Sequence, residues 1–201
     1  MAIPTHPEEI LQASKRLSDR ERFLKKYVND YASLAQAIQV LRDIHGYRIV
    51  VTIGSWDMLH IGHVRYLLEA RKFGDILVVG TDSDRAVKIY KGPGRPITPE
   101  NERIEMVCYQ APTDYVTLID DVDEKGKWTY RLLKLLRPDV FVAVEDSYPP
   151  EQIEDIKQLC GSVVTLPRQA EATSTTNVIE NIKKAKNIEK RSVPSSNASV
   201  A

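Results

Sequence analysis

The 201-residue sequence predicts an α/β protein built on a five-stranded parallel sheet with helices on both faces, and three observations carry that expectation. Five short runs rich in β-branched residues recur along the chain, and stretches of helical period separate them. The runs are apolar from end to end rather than alternating, as strands buried on both faces are. The segments between them have the length of crossover helices rather than of hairpin turns. In such folds ligands bind at the carboxyl ends of the strands.

Residues 1–46 read as an N-terminal helical extension. Ser18 and Glu21 have capping-box spacing, and Leu24, Tyr27, Val28, Tyr31, Leu34, Ile38 and Leu41 recur at intervals of three and four. That spacing predicts one helix over 18–45, stopped by Gly46. A domain over 47–186 then opens with a strand at 48–53, closed by Gly54. Next are expected a helix over 62–73, a strand over 76–80, a basic loop over 88–99, a helix over 100–110 and a strand over 115–119. The remaining pairs are a helix over 129–136 with a strand over 140–144, and a helix over 150–159 with a strand over 163–166. A helix over 176–186 ends the domain, and residues 187–201, with little to bury, read as a disordered tail.

Composition narrows the function. The 28 basic and 28 acidic side chains give zero net charge, which excludes a protein that holds nucleic acid or a membrane surface by bulk attraction. No apolar run approaches the ~20 residues that span a bilayer, and the N-terminus lacks the basic-then-apolar pattern of a secretion signal. A cytoplasmic protein is the expectation. Cys108 and Cys160 lie in apolar segments at no metal-ligand spacing, so two buried thiols are expected, with no disulfide and no metal held by the chain's own side chains.

Three segments carry chemistry. The first is Gly54-Ser55-Trp56-Asp57-Met58-Leu59-His60-Ile61-Gly62-His63, where a strand ends and a helix begins. Unpaired N–H groups at a helix N-terminus attract phosphate. Gly54 would admit a nucleotide close to the backbone, and Gly62 would keep a Cβ out of the phosphate path. His60 and His63, three apart, would present both imidazoles on one side as hydrogen-bond donors to one polyphosphate. Asp57 would either assist a metal or brace the turn. The second is Ser174-Thr175-Thr176-Asn177-Val178-Ile179, whose hydroxyls would sit at another helix N-terminus. The third runs from Lys88 through Lys91, Gly92, Gly94, Arg95 and Pro96 to Arg103, a basic, glycine-containing stretch suited to fold over a phosphate.

The first segment, with its G-S-W-D-x-L-H-x-G-H pattern, resembles the signature of the cytidylyltransferase-like nucleotidyltransferase superfamily, and Ser174-Thr-Thr-Asn-Val-Ile179 resembles that superfamily's second motif. The stretch SD-x-x-V-x-x-x-KG-x-x-RPI-x-x-x-x-ER is similar to the bacterial heptose 1-phosphate adenylyltransferases in particular. Glycerol-3-phosphate and ethanolamine-phosphate cytidylyltransferases and FMN adenylyltransferases are similar over the same span, but less closely through the basic loop. Trp56 stands where the superfamily usually has phenylalanine. Val142-Ala-Val-Glu-Asp-Ser-Tyr148 replaces a glycine-rich stretch with a lysine in the heptose enzymes, which leaves the acceptor and the base open.

The resemblance implies a Rossmann-like nucleotidyltransferase fold and transfer of a nucleoside monophosphate from ATP, or CTP, to a phosphorylated sugar or alcohol, with pyrophosphate released. A catalytically silent nucleotide-binding subunit is the alternative outside enzymes. His60, His63, Lys91 and Arg95 are the implied catalytic residues. Gly54, Ser55, Trp56, Asp57, Gly62, Lys88, Arg103, Arg168, Ser174, Thr175 and Thr176 are the implied nucleotide contacts. Mg²⁺ is expected on the triphosphate with few protein ligands, and a homodimer is expected as the assembly. By segment, residues 47–180 hold 16 basic and 21 acidic side chains, so the body around this phosphate site is acidic.

Overall fold

The structure, a computed structural model, describes residues 20–124, 126–170 and 173–192. A five-stranded parallel sheet in the order β3-β2-β1-β4-β5 forms its centre, from β1 (Ile49–Gly54), β2 (Ile76–Asp82), β3 (Tyr115–Ile119), β4 (Val140–Val144) and β5 (Ser162–Leu166). The helices are α1 (Arg20–Leu24), α2 (Tyr31–His45), α3 (Ile61–Arg71), α4 (Asp84–Lys91), α5 (Glu100–Cys108), α6 (Arg131–Leu136), α7 (Pro150–Lys157) and α8 (Thr175–Ser192).

The pleat sends alternate side chains of each strand into two cores. Ile49, Val51, Ile76, Val78, Phe141 and Ala143 pack with Leu34 and Ile38 of α2 and with Leu132, Leu133 and Leu136 of α6. Val50, Leu77, Val79, Val140 and Val142 pack on the opposite face with Tyr66, Leu67 and Ala70 of α3 and with Ile104, Val107 and Cys108 of α5. Both faces of the sheet are therefore covered, which is why its strands read as unbroken apolar runs.

The N-terminal segment departs from the expected single helix. Asp30 caps α2 by accepting from the Ser33 N–H at 2.8 Å, and the chain between the two helices is extended enough for Tyr27 to bridge Val116 of the edge strand β3. A good N-cap in the middle of a helical period, with a strand edge beside it, splits one expected helix into two. Ser18, the expected cap, lies outside the described residues. The stop at Gly46 holds, with φ of 66° and its N–H on the Arg42 carbonyl.

Two further boundaries differ. The basic loop expected over 88–99 starts with a helix, α4, because Ser83 caps Ala86 N–H at 2.9 Å and carries the chain into helix up to Lys91. The last helix runs on to Ser192, past the expected start of the tail at 187; residues 193–201 lie outside the described residues. Cys108 is buried as expected, whereas Cys160 is only partly so; both are free thiols. No helix among the described residues is long and apolar enough to cross a membrane.

Candidate active site

The strand order reverses at β1: β2 and β3 lie to one side of it, β4 and β5 to the other. Strands β1 and β4 pair only over Val50↔Val140 and Val51↔Phe141, whereas β1 and β2 pair over six residues. Beyond that short ladder the carboxyl ends of β1 and β4 part, and a cavity of about 640 Å³ opens there. The carbonyls left unpaired find tyrosines: Tyr66 donates to Val142 O and Tyr148 to Ile53 O, each at 2.8 Å.

Gly54, Ser55, Trp56, His60, Gly62 and His63 line one side of this cavity. Trp56 and Met58 adopt positive φ of 49° and 51°, a conformation costly for such residues and held by the surrounding contacts. Trp56 is anchored by its indole N–H on Gly80 O at 2.8 Å and meets the His63 ring edge-on at 5.6 Å. A Cβ on Gly54 would press on that indole at 3.3 Å, so in the protein itself the glycine makes room for Trp56. At Gly62 a Cβ would lie 3.0 Å from the His60 ring and 3.1 Å from Ala170, which fixes glycine there for the histidine.

The two imidazoles stack at 3.9 Å between centroids and close a reciprocal cap on α3. His60 Nδ1 accepts from Gly62 N–H at 3.2 Å, and His63 Nδ1 accepts from His60 N–H at 3.4 Å. These acceptances place the proton of each neutral ring on Nε2, the donor atom left for a ligand. Two backbone N–H groups expected to be free for phosphate are thus occupied by the rings, and the donors are the imidazoles themselves. Burial, then His60 and Lys91 nearby, push the His63 pKa down to about 3, so this ring is neutral near pH 7. Burial also lowers that of His60.

Asp57 settles as a brace and does not line the cavity. Its buried carboxylate accepts from Ile97 N–H at 3.0 Å, Thr98 N–H at 2.9 Å and Arg95 Nε at 2.7 Å. Burial opposes its charge, but those two N–H groups and the guanidinium outweigh it and hold the carboxyl below its usual pKa. The turn after β1 and the basic loop are locked together in this way. Thr175 adds a third strap, its hydroxyl donating to Asp57 O at 2.8 Å, and Ser174 caps α8 by accepting from Asn177 N–H at 3.1 Å.

Lys91, Arg95, Arg168, Ser174, Thr175 and Thr176 join the glycine–histidine segment at the cavity, so both motifs and the basic stretch do converge. Lys88 and Arg103 do not. Lys88 is exposed on α4 and is not among the residues lining the cavity. Arg103, expected to touch nucleotide, is 1% exposed and fully engaged with Thr98 O, Ser55 O and Asp84 Oδ1, the last at 2.7 Å. It ties α5 and α4 to the site's backbone. The cavity also takes in Asp82, Trp128, Tyr130 and Gln152, which lie outside the stretches that sequence reasoning named, together with Tyr90 of the third segment and Tyr148 of the Val142–Tyr148 stretch. For Asp82 a signal was present: it ends the apolar run of β2, and strand carboxyl ends line such sites. Among the described residues no three His, Cys, Asp or Glu side chains converge to hold an ion.

An open parallel sheet with its cavity at the strand reversal, rimmed by imidazole, ammonium, guanidinium and hydroxyl groups, defines an α/β protein suited to handling phosphates. The profile of the cytidylyltransferase-like family matches residues 51–189, and the chain belongs to that family. Curated relatives include the bifunctional protein HldE of Syntrophotalea carbinolica, 37% identical over 161 residues, which cover 76% of this chain and 32% of that one. HldE of Proteus mirabilis is 36% identical over 159 residues, or 78% of this chain and 32% of that one. The chain thus matches about a third of the length of these relatives. Among solved structures, a lipopolysaccharide core biosynthesis protein from Thermoplasma volcanium superposes with a TM-score of 0.51 at 26% identity, over 61% of this chain and 98% of that one. Pantothenate synthetase from Thermus thermophilus shares the fold, with a TM-score of 0.55 at 19% identity, over 80% of this chain and 70% of that one.

Proposed function

We propose that this chain is a nucleotidyltransferase that transfers the nucleoside monophosphate of a triphosphate, ATP before CTP, to a phosphorylated sugar of the heptose 1-phosphate kind. The observation that carries the reading is the stacked His60–His63 pair, two neutral rings whose Nε2–H donors are free while Lys91 and Arg95 stand across the same cavity. Similarity to HldE proteins supports the sugar phosphate as acceptor.

An acceptor phosphate has its second pKa near ~6 and is largely a dianion at neutral pH, so it attacks the α-phosphorus without a general base. The new P–O bond forms as the bond to the β-phosphate oxygen breaks, and pyrophosphate leaves with the electron pair. The protein aligns two anions that repel each other and stabilises charge growing on the α-phosphate and the leaving group. His60 and His63 donate to the phosphate chain, Lys91 and Arg95 offset its charge, and Ser174 and Thr176 receive the departing phosphates. With no cluster of three ligating side chains among the described residues, the site suits an ion that keeps most of its water, so Mg²⁺ belongs in this reading as a complex with the triphosphate. It would supply charge neutralisation there.

The working unit in this reading is a cytoplasmic homodimer, checked by light scattering. Pyrophosphate release measured with ATP and CTP against sugar 1-phosphates, glycerol 3-phosphate, ethanolamine phosphate and FMN tests the chemistry. Turnover with a sugar 1-phosphate is expected; triphosphate binding with no release on any acceptor would overturn the proposal.

A further inference from the structure

Among the described residues, neither Lys91 nor Asp82 of the cavity lining forms a direct ion pair. Around them Arg95 is paired with Asp57 and Arg103 with Asp84, each at 2.7 Å. Lys91 Nζ instead donates to Ser55 Oγ at 2.7 Å. Tyr90, whose ring centroid lies 5.5 Å from the Lys91 ammonium, donates its hydroxyl to Asp82 Oδ2 at 2.5 Å. Asp82 is 3% exposed, and its Oδ1 has no partner among the described residues. A buried carboxylate that is only half satisfied costs stability. Its place is explained by its charge.

We propose that Asp82 and Tyr90 are positioning residues for Lys91: the carboxylate, held in place by the Tyr90 hydroxyl, keeps the ammonium charged and aimed into the cavity before any phosphate arrives. The inference rests on the reading above, in which Lys91 meets phosphate. The need for such a device is visible in the surroundings of Lys91. Burial first, and then Arg95, disfavour its charge; Asp82 and Asp57 favour it, Arg103 opposes it, and His63 faces it as a neutral ring. Since Asp57 is already neutralised by Arg95, the charge of Asp82 is the one left to act on the ammonium.

The test is the pH profile of kcat/KM on the alkaline side in Asp82→Asn and Tyr90→Phe, with thermal melts to confirm folding. An opposite charge nearby is worth about 1 pH unit or more, so Asp82→Asn should lower the alkaline limb by about that much, a roughly tenfold loss well above the limb with little change near neutrality. Tyr90→Phe should move it the same way by less. In a Lys91→Arg background, where the cation does not titrate, Asp82→Asn should move nothing. An unmoved limb in Asp82→Asn, an unmoved limb in Tyr90→Phe, or an equal shift with arginine at 91 would each overturn the proposal. Binding of inorganic pyrophosphate by calorimetry from about pH 7 to 10 gives a second readout that needs no acceptor. If no sugar or alcohol phosphate is turned over, the functional reading fails, and the pyrophosphate profile still decides: the same downward shift supports the role of Asp82, and none overturns it.

Discussion

The hydroxyls of Tyr66 and Tyr148 occupy matching places on either side of the gap between β1 and β4. Tyr66, from α3, donates to Val142 O on β4, and Tyr148, from the loop after β4, donates to Ile53 O on β1, each at 2.8 Å. The strands can part, and the cavity can open, because two phenols stand in for the ladder bonds that parting removes. Tyr148→Phe leaves the Ile53 carbonyl unsatisfied. A loss of about 1–3 kcal/mol in denaturant unfolding is expected, and no loss would show that water takes over the bond.

Asp57→Ala should be among the most damaging single changes near the site. It strands the Arg95 guanidinium, whose side chain is only 16% exposed, and frees two loop N–H groups at once. Breaking a buried pair from one side costs about 3–5 kcal/mol. The expected readouts are that loss in chemical denaturation and a basic loop newly open to protease.

His63→Ala should leave the fold intact, since the ring contributes one long hydrogen bond of 3.4 Å to the backbone. Removing a preorganised donor costs about 10²–10³ in rate, so kcat should fall by that order in a pyrophosphate-release assay. Turnover near that of the unaltered protein would sink the role assigned to this ring.

The same residue makes stability depend on pH. Folded, His63 resists protonation down to about pH 3; unfolded, it takes up a proton near its ordinary value of 6.5. The unfolded state therefore binds more protons between those limits, and this contribution to stability, complete above 6.5, is lost progressively as pH falls toward 3. Unfolding free energy should fall with acid by a slope of about one proton more than in His63→Asn. Parallel profiles for the two proteins would contradict the burial of a neutral ring.

Arg103 and Lys88, alike as basic residues of one stretch, should part under mutation. Arg103→Ala removes three hydrogen-bonding connections from a 1%-exposed side chain and should lower stability by several kcal/mol. Lys88→Ala changes an exposed side chain and should stay within about 0.5 kcal/mol, with triphosphate affinity unchanged. Weaker triphosphate binding in Lys88→Ala would bring that lysine back into the site.

The strands were legible because burial on both faces writes an unbroken apolar run, and β3 and β4 were read from the sequence with the same bounds that the structure has. The histidine pair was legible because its spacing sits on a strand–helix junction. Two kinds of feature were not. The break in the N-terminal helix depends on Tyr27 finding the edge of β3, nearly ninety residues further along, and no local period records such a partner. The status of each charge in the basic stretch depends on which carboxylate it meets. Arg95 meets Asp57 and stays at the cavity, Arg103 meets Asp84 and is buried, and Lys91 meets neither and donates to Ser55, while Asp82 is held by Tyr90.

By itself, then, the sequence determined the layered parallel sheet, the place of the site at the strand ends and the residue types gathered there, because these follow from hydrophobic period and chain-local motifs. Tertiary structure decided which of those residues face the cavity, which are spent holding it open and which carboxylate answers which cation. Those choices rest on hydrogen bonds and ion pairs between segments far apart in the chain, whose geometry exists only once the two cores have packed.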